Sequence, residues 1–154
     1  MIIGDSSALV TLAIADKLDI VEKLFGNLYV PEAVYKELTK IEKPYSSKLK
    51  SFLKGRVKNV NLKIEKLGLG AGELEAIILY KELNADILLI DDARAKKFAL
   101  LNDIKVIGSL GILIKAKENG YISEIKPLLE KIKKSGIYLT DYIINQVLEI
   151  CNES

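Results

Sequence analysis

The residues of this sequence that could do chemistry are carboxylates placed where predicted elements end. Asp5 follows the apolar run Met1–Gly4, and Asp91 and Asp92 follow the run Ile87–Ile90. The second run is short and lacks polar alternation, which is typical of a strand covered on both faces in a parallel sheet. Acids that follow such strands lie at the crevice where open α/β folds bind ligands. We therefore predict an acidic site at one edge of a sheet.

Helix capping is the simpler interpretation for some of these acids. Asp5 directly precedes a predicted helix, but Ser6 also offers a hydroxyl that could cap it, so a site role is favoured for Asp5. Asp92 precedes the helix that begins at Ala93, and capping and a site role are equally well supported. Asp91 continues the strand and has no such local role. Two adjacent like charges disfavour each other unless a cation lies between them and other acids.

Two predicted helices carry further candidate acids. Glu37 lies on an apolar stripe beside Leu38, where it either needs a partner, because unpaired burial of charge is costly, or reaches water from a half-buried face. Glu73 shares a stripe with apolar residues and is predicted to face inward, although it could simply complement the positive end of its helix. Glu75 shares a stripe with Glu82, so it is predicted to face outward and is the second choice.

Composition narrows the chemistry further. The 154-residue chain has no His and one Cys, which excludes Ser-His-Asp and Cys-His triads, His-based acid–base catalysis and His/Cys zinc sites. Carboxylate remains as the catalytic group, and the cations that suit carboxylate and water ligands are Mg²⁺ and Mn²⁺. The net charge of +2 is too small to imply a nucleic-acid partner by itself.

The chain has the composition of an ordinary globular protein, with 49% hydrophobic and 29% charged residues. No apolar run approaches the roughly 20 residues needed to span a bilayer, and no secretion signal is recognised, so no membrane association is expected. The lone Cys151 cannot form an internal disulfide, which fits a reducing cytoplasm. We expect one domain over residues 1–154, with a core of about 1–120 and C-terminal helices over about 121–154.

Strands and helices alternate along the predicted chain, which favours a three-layer α/β/α fold with a central, mostly parallel sheet of four to five strands. Pro31 is predicted to open a helix whose stripe ends at Ile41, and residues 68–72 are a glycine-rich entry to a helix over 73–83. Two amphipathic helices, separated by Gly136, form a C-terminal extension. They are predicted to cover the core, or alternatively to form a homodimer seam or a partner's docking site. The predicted strands cover residues 1–4, 28–30, 57–60, 87–90 and 105–107.

The joint pattern of acids resembles the PIN-domain family, the fold of toxin ribonucleases in many prokaryotic toxin–antitoxin pairs. The similarity covers essentially the whole chain in order. It is carried by IIGDSSALVTLA at the start, VPEAVYKEL around Glu37, GLGAGELEAIILYKEL around Glu73, ADILLIDDARAKKFA around the aspartate pair, and the following VIGSLGILIKAKENGYI.

The resemblance implies a ribonuclease that hydrolyses RNA phosphodiester bonds with bound Mg²⁺ or Mn²⁺. Ser6 stands where the family often has a hydroxyl near the metal. Two departures are a Glu as the third acid, where many relatives use Asp, and Ile90 where Thr or Ser is common. The implied catalytic acids are Asp5, Glu37, Glu73 and Asp91 or Asp92, and the implied metal ligands are Asp5, Glu73, Asp91 and Asp92.

Phosphate contacts are expected from the basic run between Lys43 and Lys63, which contains no acid, and from Arg94. A solvated lysine-rich face is the simpler interpretation of that run. An antitoxin protein is a further partner that the resemblance suggests, and the C-terminal helices leave a second copy of the chain as another. The candidate RNA contacts are Lys48, Lys54, Arg56 and Arg94.

Two other functions compete with the ribonuclease. A PIN-like regulatory module could keep the fold and bind nucleic acid without turnover. A phosphoryl-transfer enzyme or receiver domain could use Asp5 at the end of the first strand. Phosphatases of that kind need a second acid two residues after the first, where this chain has Ser7, so this alternative ranks last.

Overall fold

Five short parallel strands form the sheet of the computed structural model, which describes residues 1–40, 42–61 and 70–154. Their order across the sheet is β3-β2-β1-β4-β5, and all four neighbouring pairs are parallel. This confirms the predicted α/β class and the parallel sheet. The strands are β1 (Ile2–Gly4), β2 (Leu28–Pro31), β3 (Val57–Lys58), β4 (Ile87–Leu89) and β5 (Val106–Ile107).

Nine helices connect and follow these strands in the described ranges. The helices are α1 (Ser6–Ile14), α2 (Leu18–Phe25), α3 (Glu32–Lys40), α4 (Ser46–Leu53), α5 (Ala71–Glu82), α6 (Ala93–Leu101), α7 (Ser109–Glu118), α8 (Lys126–Lys134) and α9 (Asp141–Ile150). None of these helices combines the length and apolarity needed to cross a membrane.

The sheet is buried on both faces, as its unbroken apolar strands predict. Ile2 and Leu89 belong to one core, with side chains of α1, α2, α3, α4, α7, α8 and α9. Ile3 and Leu88 point the other way, into a second core with α5 and α6. Successive residues of a strand face opposite sides, so neighbouring apolar residues serve two helical layers. The result is the predicted three-layer α/β/α arrangement.

The strand order places the ends of β1 and β4 side by side. Connections from β1 run through β2 to β3 on one side, whereas β4 and β5 lie on the other side of β1. The order of the strands therefore reverses between β1 and β4, and ligands of open α/β sheets bind outside the carboxyl ends of the strands at such a switch point. Asp5 follows β1, and Asp91 follows β4.

The C-terminal helices cover the core. One hydrophobic cluster includes Leu129 and Ile132 of α8, Ile125 just before it, and Val147 and Leu148 of α9. The hydrophobic faces of α8 and α9 are thus used within the chain, as one of the alternatives for these helices predicted. The domain limits expected from the sequence stay a prediction.

A few local predictions differ from the structure. Pro31 ends β2, in register with Lys58, and α3 begins one residue later at Glu32. Ser6 is the first residue of α1 and gives it no side-chain cap, because its hydroxyl is bonded to another helix. The predicted roles of Ile41, Lys63 and residues 68–69 lie outside the described residues.

Candidate active site

Asp5 is the buried centre of the candidate site. Its amide donates to the Leu89 carbonyl oxygen at 2.9 Å, which ties the end of β1 to β4. Only 2% of Asp5 is exposed, and its Oδ1 atom has no hydrogen-bond partner among the described residues. Oδ2 accepts a long contact of 3.4 Å from the Ser7 hydroxyl. Asp5 occupies the N-cap position of α1 without making a side-chain cap, so capping does not explain this buried carboxyl group.

Burial makes Asp5 a weaker acid than an exposed aspartate. The pKa of Asp5 is raised from 3.8 to about 7, chiefly because burial removes solvent, with smaller contributions from the negative charges of Glu73 and Glu37. A hydrogen bond from the Ser6 amide and the contact with Ser7 act in the opposite direction and offset only part of the rise. Perturbed carboxyl groups in a cleft are a recognised feature of functional sites.

Glu37 is held at the site by two donors from different elements. The Ser6 hydroxyl donates to Oε2 at 2.7 Å, and the Gly72 amide donates to Oε1 at 3.0 Å. Glu37 is exposed, so the half-buried alternative for its stripe is the one observed. A Cβ atom at Gly72 would lie 2.3 Å from Oε1, so the carboxylate approaches the backbone here more closely than a larger residue would allow without a shift of the Glu37 side chain.

The two adjacent aspartates are each bound to the N-terminus of a helix. Asp92 caps α6, accepting a bond of 2.8 Å from the Ala95 amide. Asp91 accepts bonds from the amide and the hydroxyl of Ser109, at 2.7 and 2.6 Å, at the start of α7. The predicted capping role of Asp92 is therefore present, and Asp91 has a comparable role that sequence neighbours could not reveal. Neither role excludes a metal ligand, since each carboxylate oxygen has two lone pairs.

Of Glu73 and Glu75, Glu73 lies in the site and Glu75 does not. Glu73 lines the same pocket as Asp5 and is half-buried. Glu75 was predicted to face outward, and this was wrong: it is half-buried, and its Oε1 accepts a bond of 3.2 Å from the Ala33 amide in the first turn of α3. The free amides of that turn attract an acid from the neighbouring helix.

A pocket of about 710 Å³ brings the predicted acids together. Sequence reasoning missed Lys96, Ser109 and Tyr138, which also line it. Lys96 lies one turn after Asp92 on α6, a spacing that could have indicated it. Tyr138 comes from the segment between α8 and α9, and no local pattern connects it to the acids. The predicted residues that line the pocket are Asp5, Ser6, Glu37, Glu73, Asp91 and Asp92.

The residues predicted to contact RNA do not line this pocket. Arg56 directly precedes β3, so it lies at the amino edge of the parallel sheet, opposite the acids. It is paired with Glu22 and donates to the Phe52 carbonyl oxygen at 2.6 Å. Lys48 lies 3.1 Å from Asp16, in a neighbouring depression. Lys54 and Arg94 are exposed outside the pocket.

The donor set suits a hard divalent cation. Carboxylates and a serine hydroxyl are oxygen ligands, and the unpartnered Oδ1 of Asp5 is the buried atom that lacks a counterpart. Within the described ranges, no three acids converge closely enough to form a ready-made metal cluster. Mg²⁺ usually keeps several waters and binds through one or two carboxylates, so the residues fit an ion held mainly by Asp5 and one neighbouring acid.

These features define an α/β protein with an acidic pocket at the switch point of a parallel sheet. A family model described as a PIN domain (DUF3368) matches residues 1–153, and the chain belongs to this family. The resemblance seen in the sequence is thereby confirmed. PIN domains are generally nucleases, so the family supports a nuclease-type fold. No curated protein matches the chain.

The raised pKa of Asp5 predicts a pH-dependent stability. The folded state holds this proton more tightly than the unfolded chain does. The contribution of Asp5 to the free energy of unfolding therefore falls as pH rises from 3.8 to about 7 and does not change above that. In EDTA, Asp5→Asn should therefore gain stability relative to the wild type between about pH 5 and pH 8, by at most about 3 kcal/mol. Urea unfolding at both pH values measures this, and an equal effect at both would contradict the raised pKa.

Substitution of Asp92 can separate capping from metal binding. Asn is as good an N-cap as Asp, whereas Ala costs about 1 kcal/mol. We expect Asp92→Asn to keep the wild-type stability but to weaken Mn²⁺ binding measured by calorimetry, while Asp92→Ala loses both. If Asp92→Asn binds Mn²⁺ as the wild type does, Asp92 is only a helix cap.

The contact between Gly72 and Glu37 predicts that the two residues are energetically coupled. Ala is normally favoured over Gly in a helix by about 1 kcal/mol, but here an added Cβ atom would lie 2.3 Å from Oε1, so the Glu37 carboxylate would have to move. Gly72→Ala should therefore stabilise the Glu37→Ala variant more than it stabilises the wild type, as measured by urea unfolding of all four proteins. Equal effects of Gly72→Ala in both backgrounds would refute the contact.

Proposed function

We propose that the protein is a divalent-metal-dependent ribonuclease that hydrolyses RNA phosphodiester bonds at the acidic pocket. The observation that carries this proposal is the buried Asp5 carboxyl group, whose Oδ1 atom has no partner in the described part of the chain while Glu73 and Glu37 repel its charge. A bound cation would satisfy that oxygen and offset the repulsion. The family supports a nuclease-type fold around this pocket.

Asp5 and Glu73 are the proposed principal ligands, with Asp91 and Asp92 at the end of the adjacent strand. When bound, Mg²⁺ or Mn²⁺ lowers the pKa of a coordinated water and stabilises charge on the reacting phosphate. Asp91 keeps both oxygens on Ser109 and so fixes the position of the β4 end. Asp92 is fixed in the same way by the start of α6.

Glu37 and Lys96 have different proposed tasks. Glu37 is fixed by Ser6 and Gly72 at the mouth of the pocket, so its carboxylate can accept a proton or orient a water there. Lys96 is half-buried in the pocket wall, and its ammonium group can donate to a phosphate oxygen. No His is needed for either task.

A second candidate is a PIN-like module that binds RNA without cleaving it. The observation that favours it is that no three acids in the described ranges form a metal cluster. The departures at Glu73 and Ile90 from the common family pattern point the same way. Under this alternative RNA binding would be indifferent to EDTA, and no products would form.

The toxin role stays a prediction, and so do its consequences. An antitoxin partner follows from the resemblance to toxin ribonucleases, a homodimer from the alternative for the C-terminal helices, and a cytoplasmic location from the lone cysteine. The free, buried Cys151 is compatible with a reducing compartment.

Metal titration with a matched control tests the proposed nuclease. The purified wild type should cleave a panel of RNAs with Mn²⁺ or Mg²⁺ and stop in EDTA. Asp5→Asn should lose about 100-fold or more in rate, because several kcal/mol of metal-borne stabilisation are removed. The control is Asp19→Asn on α2, which removes one exposed carboxylate in a surface pair with Lys23.

Calorimetry on the same three proteins decides the ligand assignment. The wild type and Asp19→Asn should bind Mn²⁺ alike, and Asp5→Asn should bind it more weakly. Equal Mn²⁺ binding by all three would show that the site is misplaced. Normal Mn²⁺ binding by the wild type without any RNA cleavage would support the non-catalytic module.

A further inference from the structure

A second depression, of about 700 Å³, lies beside the acidic pocket. Its walls come from the end of α1, the segment before α4 with the first turn of α4, and the last turn of α8. Four of its lining residues are lysines: Lys43, Lys48, Lys131 and Lys134. We refer to it as the basic groove.

The basic groove is continuous with the acidic pocket. Lys43 and Tyr45 line both depressions, so they form the boundary that the two share. Lys43 is exposed and Tyr45 is half-buried against the core. A long ligand in the pocket would therefore extend past these two side chains into the groove.

The groove retains an excess of positive charge after its internal pairing is counted. Lys48 lies 3.1 Å from Asp16, and Lys131 also helps to lower the pKa of Asp16, so this acid is ionised and offsets one lysine. Lys43, Lys131 and Lys134 belong to no ion pair within the part of the chain that the structure describes. Three of the four lysine charges are left for a ligand.

Interaction with a helix dipole accounts for the position of only some of the lysines in the basic groove. Lys131 and Lys134 lie in the last turn of α8, where cations complement the helix dipole. Lys133 lies in the same turn but faces away and pairs with Asp141. Lys43 is in no helix, so the dipole does not explain its position.

We propose that the basic groove binds the phosphate backbone of single-stranded RNA on one side of the cleaved bond. The inference rests on the proposed function for its ligand, since it places the neighbouring phosphates of the same strand. Lysines contact phosphates without reading sequence, and an aromatic face such as that of Tyr45 can stack on any base. Tyr45 lies where the strand must pass from pocket to groove.

Binding measurements on a variant that does not cleave RNA test the groove. In an Asp5→Asn background with EDTA, the affinity for a fluorescent RNA strand of about 12 nucleotides is measured as a function of salt. Each phosphate neutralised on a single strand contributes about 0.7 to the slope of log affinity against log salt. Lys131→Gln with Lys134→Gln should reduce that slope by about 1.4.

The matched control changes two lysines on another face of the same helix. Lys126 and Lys133 do not line the basic groove, and Lys126→Gln with Lys133→Gln removes the same net charge. We expect this control to keep the original slope. Equal reductions by both double variants, or no reduction by the groove variant, would overturn the proposal.

Two further outcomes separate the groove from neighbouring hypotheses. Competition by a poly-glutamate peptide as strong as that by RNA would assign the groove to an acidic protein partner and would also overturn the proposal. A groove-dependent salt slope in a protein that cleaves no RNA would support the groove while refuting the nuclease. An active nuclease with a groove-independent slope would show the reverse.

Discussion

Helix N-termini that converge on one edge of the parallel sheet determine the position of four acids at that edge. Each helix begins with amides that have no partner inside the helix, and these amides favour negative charge. In a parallel sheet the helices that follow the strands begin at the carboxyl edge, so their positive ends gather there. The observed pairs of acid and helix start are Glu37 with α5, Glu75 with α3, Asp91 with α7 and Asp92 with α6.

Asp5 is the exception, and this difference gives the site its chemical character. Glu37, Asp91 and Asp92 have bonds that compensate for their charge, whereas Asp5 is buried and its Oδ1 has no partner among the described residues. Burial raises its pKa to about 7, which means that the folded protein without a cation is destabilised when this group ionises. A cation that binds the ionised form would recover that energy and so stabilise the folded protein.

The sequence was informative wherever a residue's local neighbours determine its structure. The apolar run ending at Ile90 predicted a doubly covered strand, and the alternation of elements predicted the parallel sheet. Because such a sheet brings strand ends together, the positions of Asp5 and Asp91 at one edge followed from the pattern alone. Glu73, which the pattern favoured over Glu75 for the site, lines the pocket.

Roles that depend on distant partners could not be predicted in this way. Glu75 was assigned to solvent because its helix stripe is polar, yet α3 presents it with free amides. Arg56 was grouped with the basic run, but a position before β3 places it at the opposite edge and beside Glu22. Composition shows how much charge a segment has, whereas the partner of each charge is set by packing between elements far apart in sequence.

For the same reason, a net charge of +2 does not reveal that the protein has an acidic pocket beside a basic groove. In the proposed complex, RNA at the acidic pocket would meet carboxylates that repel its phosphates, and physiological salt limits the range of this repulsion to about 8 Å. The lysines of the adjacent groove lie where they can offset that repulsion, and two of them, Lys131 and Lys134, come from the C-terminal extension. Attraction in the groove and repulsion in the pocket then act on one strand. A cation beside Asp5 removes part of the repulsion, so metal binding and RNA binding at this edge should reinforce each other.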